Sequence, residues 1–270
     1  MRNKLLNLLK GLIGLIISLY IFICVILYFT QEKLIFAPQK LENNYTFNFQ
    51  QDFEELNIKT TDGKSLHGLL FKSDSTKGLI FYLHGNGGSV KSWGNIAKTY
   101  TNLNYDIFIL DYRSYGKSEG DIENQQQLFE DNQVAYDELM KKYNEQNIII
   151  LGSSIGTGMA SKLASENKPK QLILLSPYYN FPDLVKGLIS PIFPTFILKY
   201  KFATNEYLKT CGMPITIFHG NKDNLIPYES SLKLKAEFEN KTNLIMLEGE
   251  GHNFQVSEKF KEEMGRILNK

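Results

Sequence analysis

Five consecutive residues, Gly152-Ser153-Ser154-Ile155-Gly156, set the chemistry this chain can attempt. They follow the apolar run Ile148–Leu151 and precede the helix-like stretch Gly156–Ser165, so the segment reads as strand, sharp turn and helix. A serine thrust out on such a turn takes a strained backbone, and side chains two positions to either side would strike the neighbouring strand or helix. Glycine at 152 and 156 removes those collisions. The helix that opens behind Ser154 aims free N–H groups at the spot where a negative oxygen would form. Ser153 is out of register, because Leu151 would then occupy a position that must be small. The bland alternative is a glycine-rich turn that packs a helix on a sheet. A phosphate loop is disfavoured. Gly152-x-x-x-Gly156-x-Gly158 is not G-x-G-x-x-G, and the glycine required five residues before Gly116-Lys117-Ser118 is Asp111.

A serine hydroxyl attacks a carbonyl carbon only when a neutral imidazole takes its proton and a carboxylate orients that imidazole. The chain has four histidines: His67, His84, His219 and His252. The apolar run Ile215–Phe218 leads into His219-Gly220-Asn221-Lys222-Asp223, closed by Pro227, and Leu244–Leu247 leads into Glu248-Gly249-Glu250-Gly251-His252. Alone, Asp223 reads as a turn or capping residue and His252 as incidental. Together with Ser154 they form the chain order Ser, Asp, His, each behind a strand-like run. Glu248 and Glu250 lie too near His252 along the chain to reach its far ring nitrogen easily. After Leu79–Leu83 comes the bend His84-Gly85-Asn86-Gly87-Gly88-Ser89. The backbone N–H groups of Asn86 and Ile155 are the candidate oxyanion donors, and His84 is expected to fix the loop's shape. No metal or other cofactor is expected: HExxH is absent, His and Cys are scattered, and this acyl chemistry needs only water.

The elements that must position these residues follow from hydrophobic patterning. Strand-like runs recur at Leu79–Leu83, Ile107–Leu110, Ile148–Leu151, Leu172–Leu175, Ile215–Phe218 and Leu244–Leu247. They are continuous rather than alternating, as strands covered on both faces are. Between them lie helix-like stretches at Val90–Tyr100, Glu123–Tyr143, Gly156–Ser165, Tyr228–Glu239 and Glu258–Leu268, which predicts a doubly wound α/β domain. Glu54–Thr60 and Ser65–Phe71 flank an Asp62-Gly63 hairpin signal, so the sheet is expected to begin antiparallel. Residues 177–213 stand apart, with four prolines and many aromatics. Tyr178, Tyr179, Phe181, Leu184, Leu188, Phe193, Phe196 and Ile197 would make an apolar roof suited to an acyl chain, or would simply cover the sheet.

The 270 residues carry 30 Lys+Arg against 29 Asp+Glu, a net charge of +1 that offers nucleic acid no basic field. Hydrophobic residues at 43% suffice for a core, and the two cysteines, Cys24 and Cys211, cannot build a disulfide framework. From Gly11 to Gln31 no residue is charged. As a helix this run spans roughly 31 Å, the thickness of a bilayer's hydrocarbon. A cleaved signal peptide is the rival, but its apolar part would be shorter, and Tyr28-Phe29-Thr30-Gln31 offers no Ala-x-Ala. Ile23 before Cys24 is also too large for a lipoprotein cut. The expected membrane contact is therefore the lipid bilayer through residues 11–31. Arg2, Lys4 and Lys10 precede the span while Lys33 and Lys40 follow it, which favours a cytoplasmic N-terminus. The remaining chain is then expected on the periplasmic, extracellular or lumenal side, and Cys24 and Cys211 are not expected to pair.

Taken together, the chain resembles the α/β-hydrolase superfamily, and more narrowly its single-pass, membrane-anchored members. The resemblance covers residues 28–270. It is carried by Lys33-Leu34-Ile35-Phe36-Ala37-Pro38, His84-Gly85-Asn86-Gly87, Asp111-Tyr112-Arg113-Ser114-Tyr115-Gly116-Lys117-Ser118-Glu119-Gly120, the Ser154 turn, His219-Gly220 with Asp223 and Ile226-Pro227, and Gly251-His252. Serine aminopeptidase-like hydrolases, monoacylglycerol lipases and protein depalmitoylases share this pattern. It implies an α/β-hydrolase fold with residues 1–31 as tip and transmembrane anchor, 32–270 as the hydrolase domain, and 177–213 as a small cap-like insertion. It implies a serine hydrolase with Ser154, Asp223 and His252 as its triad; the apolar roof near a membrane then favours a carboxylic ester or thioester, including a lipidic one, of a small-molecule or acylated substrate. A peptidase of the same fold and a non-catalytic tethered binding protein are the alternatives; no obligate protein partner is evident. Ser114 departs from the pattern, where relatives usually carry glycine, and a slightly altered turn is expected there.

Overall fold

A computed structural model describes residues 2–190 and 193–269. Pro191 and Ile192, inside the expected insertion, lie outside the described residues, as do Met1 and Lys270 at the limits of the expected units. Every strand-like run forms a strand of one sheet: β1 Phe53–Lys59, β2 Ser65–Phe71, β3 Leu79–Leu83, β4 Asp106–Leu110, β5 Ile148–Ser153, β6 Gln171–Leu175, β7 Ile215–Gly220 and β8 Thr242–Leu247. Among the described residues their order is β8-β7-β6-β5-β3-β4-β2-β1. The hairpin β1–β2 and the β2–β4 pair are antiparallel, and the rest of the sheet is parallel. This is the α/β-hydrolase architecture that the resemblance implies.

Burial within the strands alternates between two cores. Leu79, Phe81 and Leu83 of β3 face one, with α4 (Gln125–Met140), α5 (Gly156–Glu166), α7 (Thr204–Leu208) and α8 (Glu229–Glu237) packed over it. Ile80 and Tyr82 face the other, beneath α2 (Val90–Trp93), α3 (Ala97–Thr101) and α9 (Glu258–Leu268). Two buried faces explain the unbroken apolar runs in the sequence. The chain leaves β3 toward β4 on one side and returns to β5 on the other, so the crevice where strand order reverses opens at the carboxyl ends of β3 and β5. Register aligns those ends across the sheet: Leu83 opposes Gly152, Ser153 opposes Leu175, and Gly220 opposes Leu247.

Two helix expectations change, and Ser114 shows how its turn is held. The helix expected over Val90–Tyr100 is interrupted by a 3₁₀ turn at Gly94–Ile96, where a Cβ on residue 94 would sit 2.4 Å from the Phe49 ring. Ser114 takes φ +68, the left-handed conformation that glycine adopts without strain, and keeps the turn closed by donating its N–H to Gly120 O at 2.9 Å. The N-terminal helix α1 runs from Arg2 to Ile35 rather than stopping at Gln31. No glycine or proline interrupts residues 15–37, so nothing in the chain breaks the helix as it enters the domain.

Alpha-1 is long and apolar enough to cross a membrane and fits a single anchor. Its end is fixed to the segment beyond α6 (Phe181–Leu188). Gln31 Oε1 accepts the Lys199 N–H (2.7 Å), and Gln31 Nε2 donates to Ile197 O (3.3 Å). Glu32 meets Lys199 Nζ at 3.0 Å and the Tyr200 hydroxyl at 3.2 Å.

Candidate active site

Ser154 lies on the turn between β5 and α5 with φ +54, a strained value for a residue with a side chain. The crowding expected of the flanking positions is present. A Cβ on Gly152 would sit 2.6 Å from Ala160 Cβ, and one on Gly156 would sit 2.2 Å from Leu83 O. The Ser154 N–H donates to Leu175 O at 2.9 Å, which ties the turn to β6.

The structure brings the three distant side chains together. His252 Nε2 is 3.1 Å from Ser154 Oγ, and His252 Nδ1 is 2.7 Å from Asp223 Oδ2. Glu248 and Glu250 play no part in these contacts. Asp223 Oδ1 accepts the N–H groups of Leu225 and Ile226, both at 2.9 Å, while Oδ2 also accepts the Ser176 hydroxyl at 2.8 Å. Its carboxyl is fully buried. Burial alone would raise its pKa, but hydrogen bonds from His219, His252 and the Ile226 N–H outweigh it and hold the carboxyl well below the usual carboxylate range. With that anion beside Nδ1, the ring's proton belongs there, and Nε2 is left to accept from Ser154.

The bend after β3 faces the same point. Asn86 and Ile155 line one pocket with Ser154, and neither N–H has a protein partner among the described residues. Asn86 is held from two sides: its Oδ1 accepts the Ala37 N–H at 2.8 Å, and its carbonyl accepts the Tyr115 hydroxyl. Tyr112 donates likewise to His84 O at 2.9 Å. The loop bearing both tyrosines is fixed by Arg113, which reaches Asp131 at 2.7 and 2.8 Å and Asp62 at 2.7 and 2.9 Å.

Of the other histidines, His84 is fully buried, with Nδ1 2.7 Å from Gly85 O, so it braces the bend. Burial pushes its pKa down, with the nearby Asp111 opposing. His219 sits behind Asp223; its Nε2–H donates to Ile226 O at 2.9 Å, and Nδ1 meets the Ser231 hydroxyl at 2.6 Å. His67 lies in β2, 2.9 Å from Glu55.

Two supporting residues escaped sequence reasoning. Ser176 holds the acid from the residue just past β6, a strand-end position that was the only available signal. Gln255 donates to Ser153 Oγ (2.7 Å) and accepts from Tyr82 (2.5 Å), which pins the His252 loop to the sheet. No motif marks it.

The pocket at Ser154 has a volume of about 310 Å³ and no charged side chain among its described lining residues. Six of the eight roof residues line it: Tyr178, Phe181, Leu184, Leu188, Phe193 and Ile197. Tyr179 instead donates to Glu237 at 2.7 Å, and Phe196 is exposed. Gln31 and the apolar side chains Leu27, Leu34 and Ile35 of α1 also line the pocket. Among the described residues no group of His, Cys, Asp and Glu is arranged to hold a metal.

The family model for serine aminopeptidase S33 hydrolases matches residues 74–210, which is half of the chain. The chain belongs to that family. It is a hydrolase with the α/β-hydrolase fold. Protein bem46 of Schizosaccharomyces pombe is 27% identical over 217 residues, 74% of this chain and 72% of that protein. The lysophosphatidylserine lipase ABHD12 of Macaca fascicularis is 28% identical over 229 residues, 73% of this chain but 57% of that longer protein. In fold the chain is similar to the esterase Pf2001 of Pyrococcus furiosus, with a TM-score of 0.69 at 20% identity, covering 87% of this chain and 97% of that one.

Proposed function

We propose that this protein is a membrane-anchored serine hydrolase that cleaves carboxylic ester or thioester bonds. The observation that carries this reading is the hydrogen-bonded line from Asp223 through His252 to Ser154 at the end of an uncharged, apolar pocket. Ser154 Oγ attacks the acyl carbon as His252 Nε2 takes the hydroxyl proton. The N–H groups of Asn86 and Ile155 stabilise the oxyanion. The bond to the leaving alcohol or thiol breaks as His252 returns the proton to it. Water, deprotonated by the same ring, then releases the acid and restores Ser154. A lipase and an esterase among the similar proteins support the ester reading.

The family's name favours a second reading, an aminopeptidase. Such an enzyme needs an anionic group near the scissile bond to hold a peptide's terminal ammonium, and the described lining residues supply none. The test sets p-nitrophenyl esters of increasing chain length against aminoacyl p-nitroanilides. Ester turnover is expected to rise with chain length and amide turnover to stay at background; faster cleavage of any aminoacyl amide would reverse the assignment.

With Arg2, Lys4 and Lys10 before the span against Lys33 and Lys40 after it, the same reading puts the N-terminus in the cytoplasm and residues 32–270 on the extracytoplasmic side. Protease added to intact spheroplasts should then digest the domain. Protection until the membrane is broken would invert the topology.

A further inference from the structure

The membrane helix is also a wall of the pocket. Leu27, Gln31, Leu34 and Ile35 are spaced i, i+4, i+7 and i+8, one face of α1, and all four line the cavity that ends at Ser154. Leu27 lies within the uncharged span, and about 12 Å of helix separates it from Ile35. The cavity thus continues from hydrocarbon depth to the reacting serine. Helix α6 contributes Phe181, Leu184 and Leu188 to the same lining.

Two further observations give this wall a purpose. It is held in place by the Gln31 and Glu32 contacts to residues 197–200, reinforced by Lys199 Nζ 5.0 Å from the Tyr28 ring centroid. Two large apolar side chains beyond α6 are uncovered, Ile189 64% and Phe196 78% exposed. Phe196 and Ile197 share a groove with Tyr20, Cys24 and Tyr28 of α1, so that segment is continuous with the surface the anchor presents to lipid. Large apolar side chains left in water this way are costly, whereas at a bilayer surface they are solvated.

We propose that α1 is part of the substrate site and that the substrate is a bilayer-resident amphiphile. Its acyl chain enters sideways from the leaflet beneath the domain, passes between α1 and α6, and lies along Leu27, Leu34 and Ile35 with its carbonyl carbon at Ser154. Water-soluble short esters reach the same serine but leave the α1 wall uncontacted. This assignment rests on the serine hydrolase reading above.

The test uses the full chain in phosphatidylcholine vesicles and a dodecyl fluorophosphonate with a diazirine at the end of its tail. After reaction at Ser154 and photolysis, the tail is expected to crosslink to peptides holding residues 27–35 and 184–189. Crosslinks confined to the opposite side of His252, around Trp93 and Asn253, would overturn the proposal. A second readout is the ratio of dodecanoate to butanoate ester turnover. Leu27→Trp is expected to lower it about tenfold, the scale set by a few methylenes in an apolar pocket. An unchanged ratio in that variant counts against the α1 wall. Failure of even an ethyl fluorophosphonate to label Ser154 would instead remove the parent reading, so the two failures are distinguishable.

Discussion

Ser154→Ala is expected to lower kcat for short p-nitrophenyl esters by about 10⁴- to 10⁶-fold, the loss typical when a hydrolase's attacking hydroxyl is deleted. Folding should be nearly unaffected. Among the described residues the Oγ hydrogen-bonds only with His252 Nε2, at 3.1 Å, and the turn is held by backbone contacts and by glycines 152 and 156. Stability should therefore stay within about 0.5 kcal/mol of the parent. The φ of +54 at this residue is equally strained for alanine, so the substitution neither relieves nor adds to it. Kinetics on the purified variant, with fluorophosphonate labelling of both proteins, is the check. Turnover at the parental rate would mean that another residue attacks.

Asp223→Asn is expected to cost about 10³- to 10⁴-fold in kcat by a different route. In the parent, Oδ1 accepts from two backbone N–H groups and Oδ2 from Ser176 and His252. An asparagine keeps its oxygen toward the backbone donors and so turns its NH₂ toward His252 Nδ1. That nitrogen must then accept, the ring's proton moves to Nε2, and Nε2 can no longer take a proton from Ser154. The sign of the pH effect follows from the depressed pKa of Asp223. A carboxylate held below its unfolded pKa contributes stability above about pH 4, and this is lost as pH falls through the folded value. The parent's pH–rate profile should accordingly show no limb from Asp223 above about pH 4. Its unfolding midpoint should drop only on further acidification, and Asp223→Asn should flatten that drop. A variant that lost stability but kept kcat would reduce Asp223 to a structural role.

The convergence of Ser154, Asp223 and His252 is legible in the sequence because each follows a parallel strand, and parallel strands deliver their ends to one edge of the sheet. Gly152 and Gly156 are legible for a simpler reason: the turn has no room for a methyl group at either position. Ser176 and Gln255 are not legible, since a single hydrogen bond between distant segments leaves no periodicity or spacing behind. The reach of α1 to Ile35 is hidden by the criterion that finds the span. Counting uncharged residues stops at Glu32, whereas a helix is indifferent to that charge when Lys199 is there to meet it. The roof was ambiguous for a related reason. Apolar content does not say which side chains face a cavity, and only folding separates Phe181 in the pocket from Phe196 on the surface.

Alpha-1 passes from the span into the domain without a loop, and its last turns are gripped by residues 197–200. A flexible tether would let the domain swing and sample bonds at many elevations. A rigid post does not. If the substrate is the bilayer-resident amphiphile proposed above, the post acts as a ruler: among amphiphiles with the same reactive group it would select by depth, favouring those whose scissile bond rides at the level it sets.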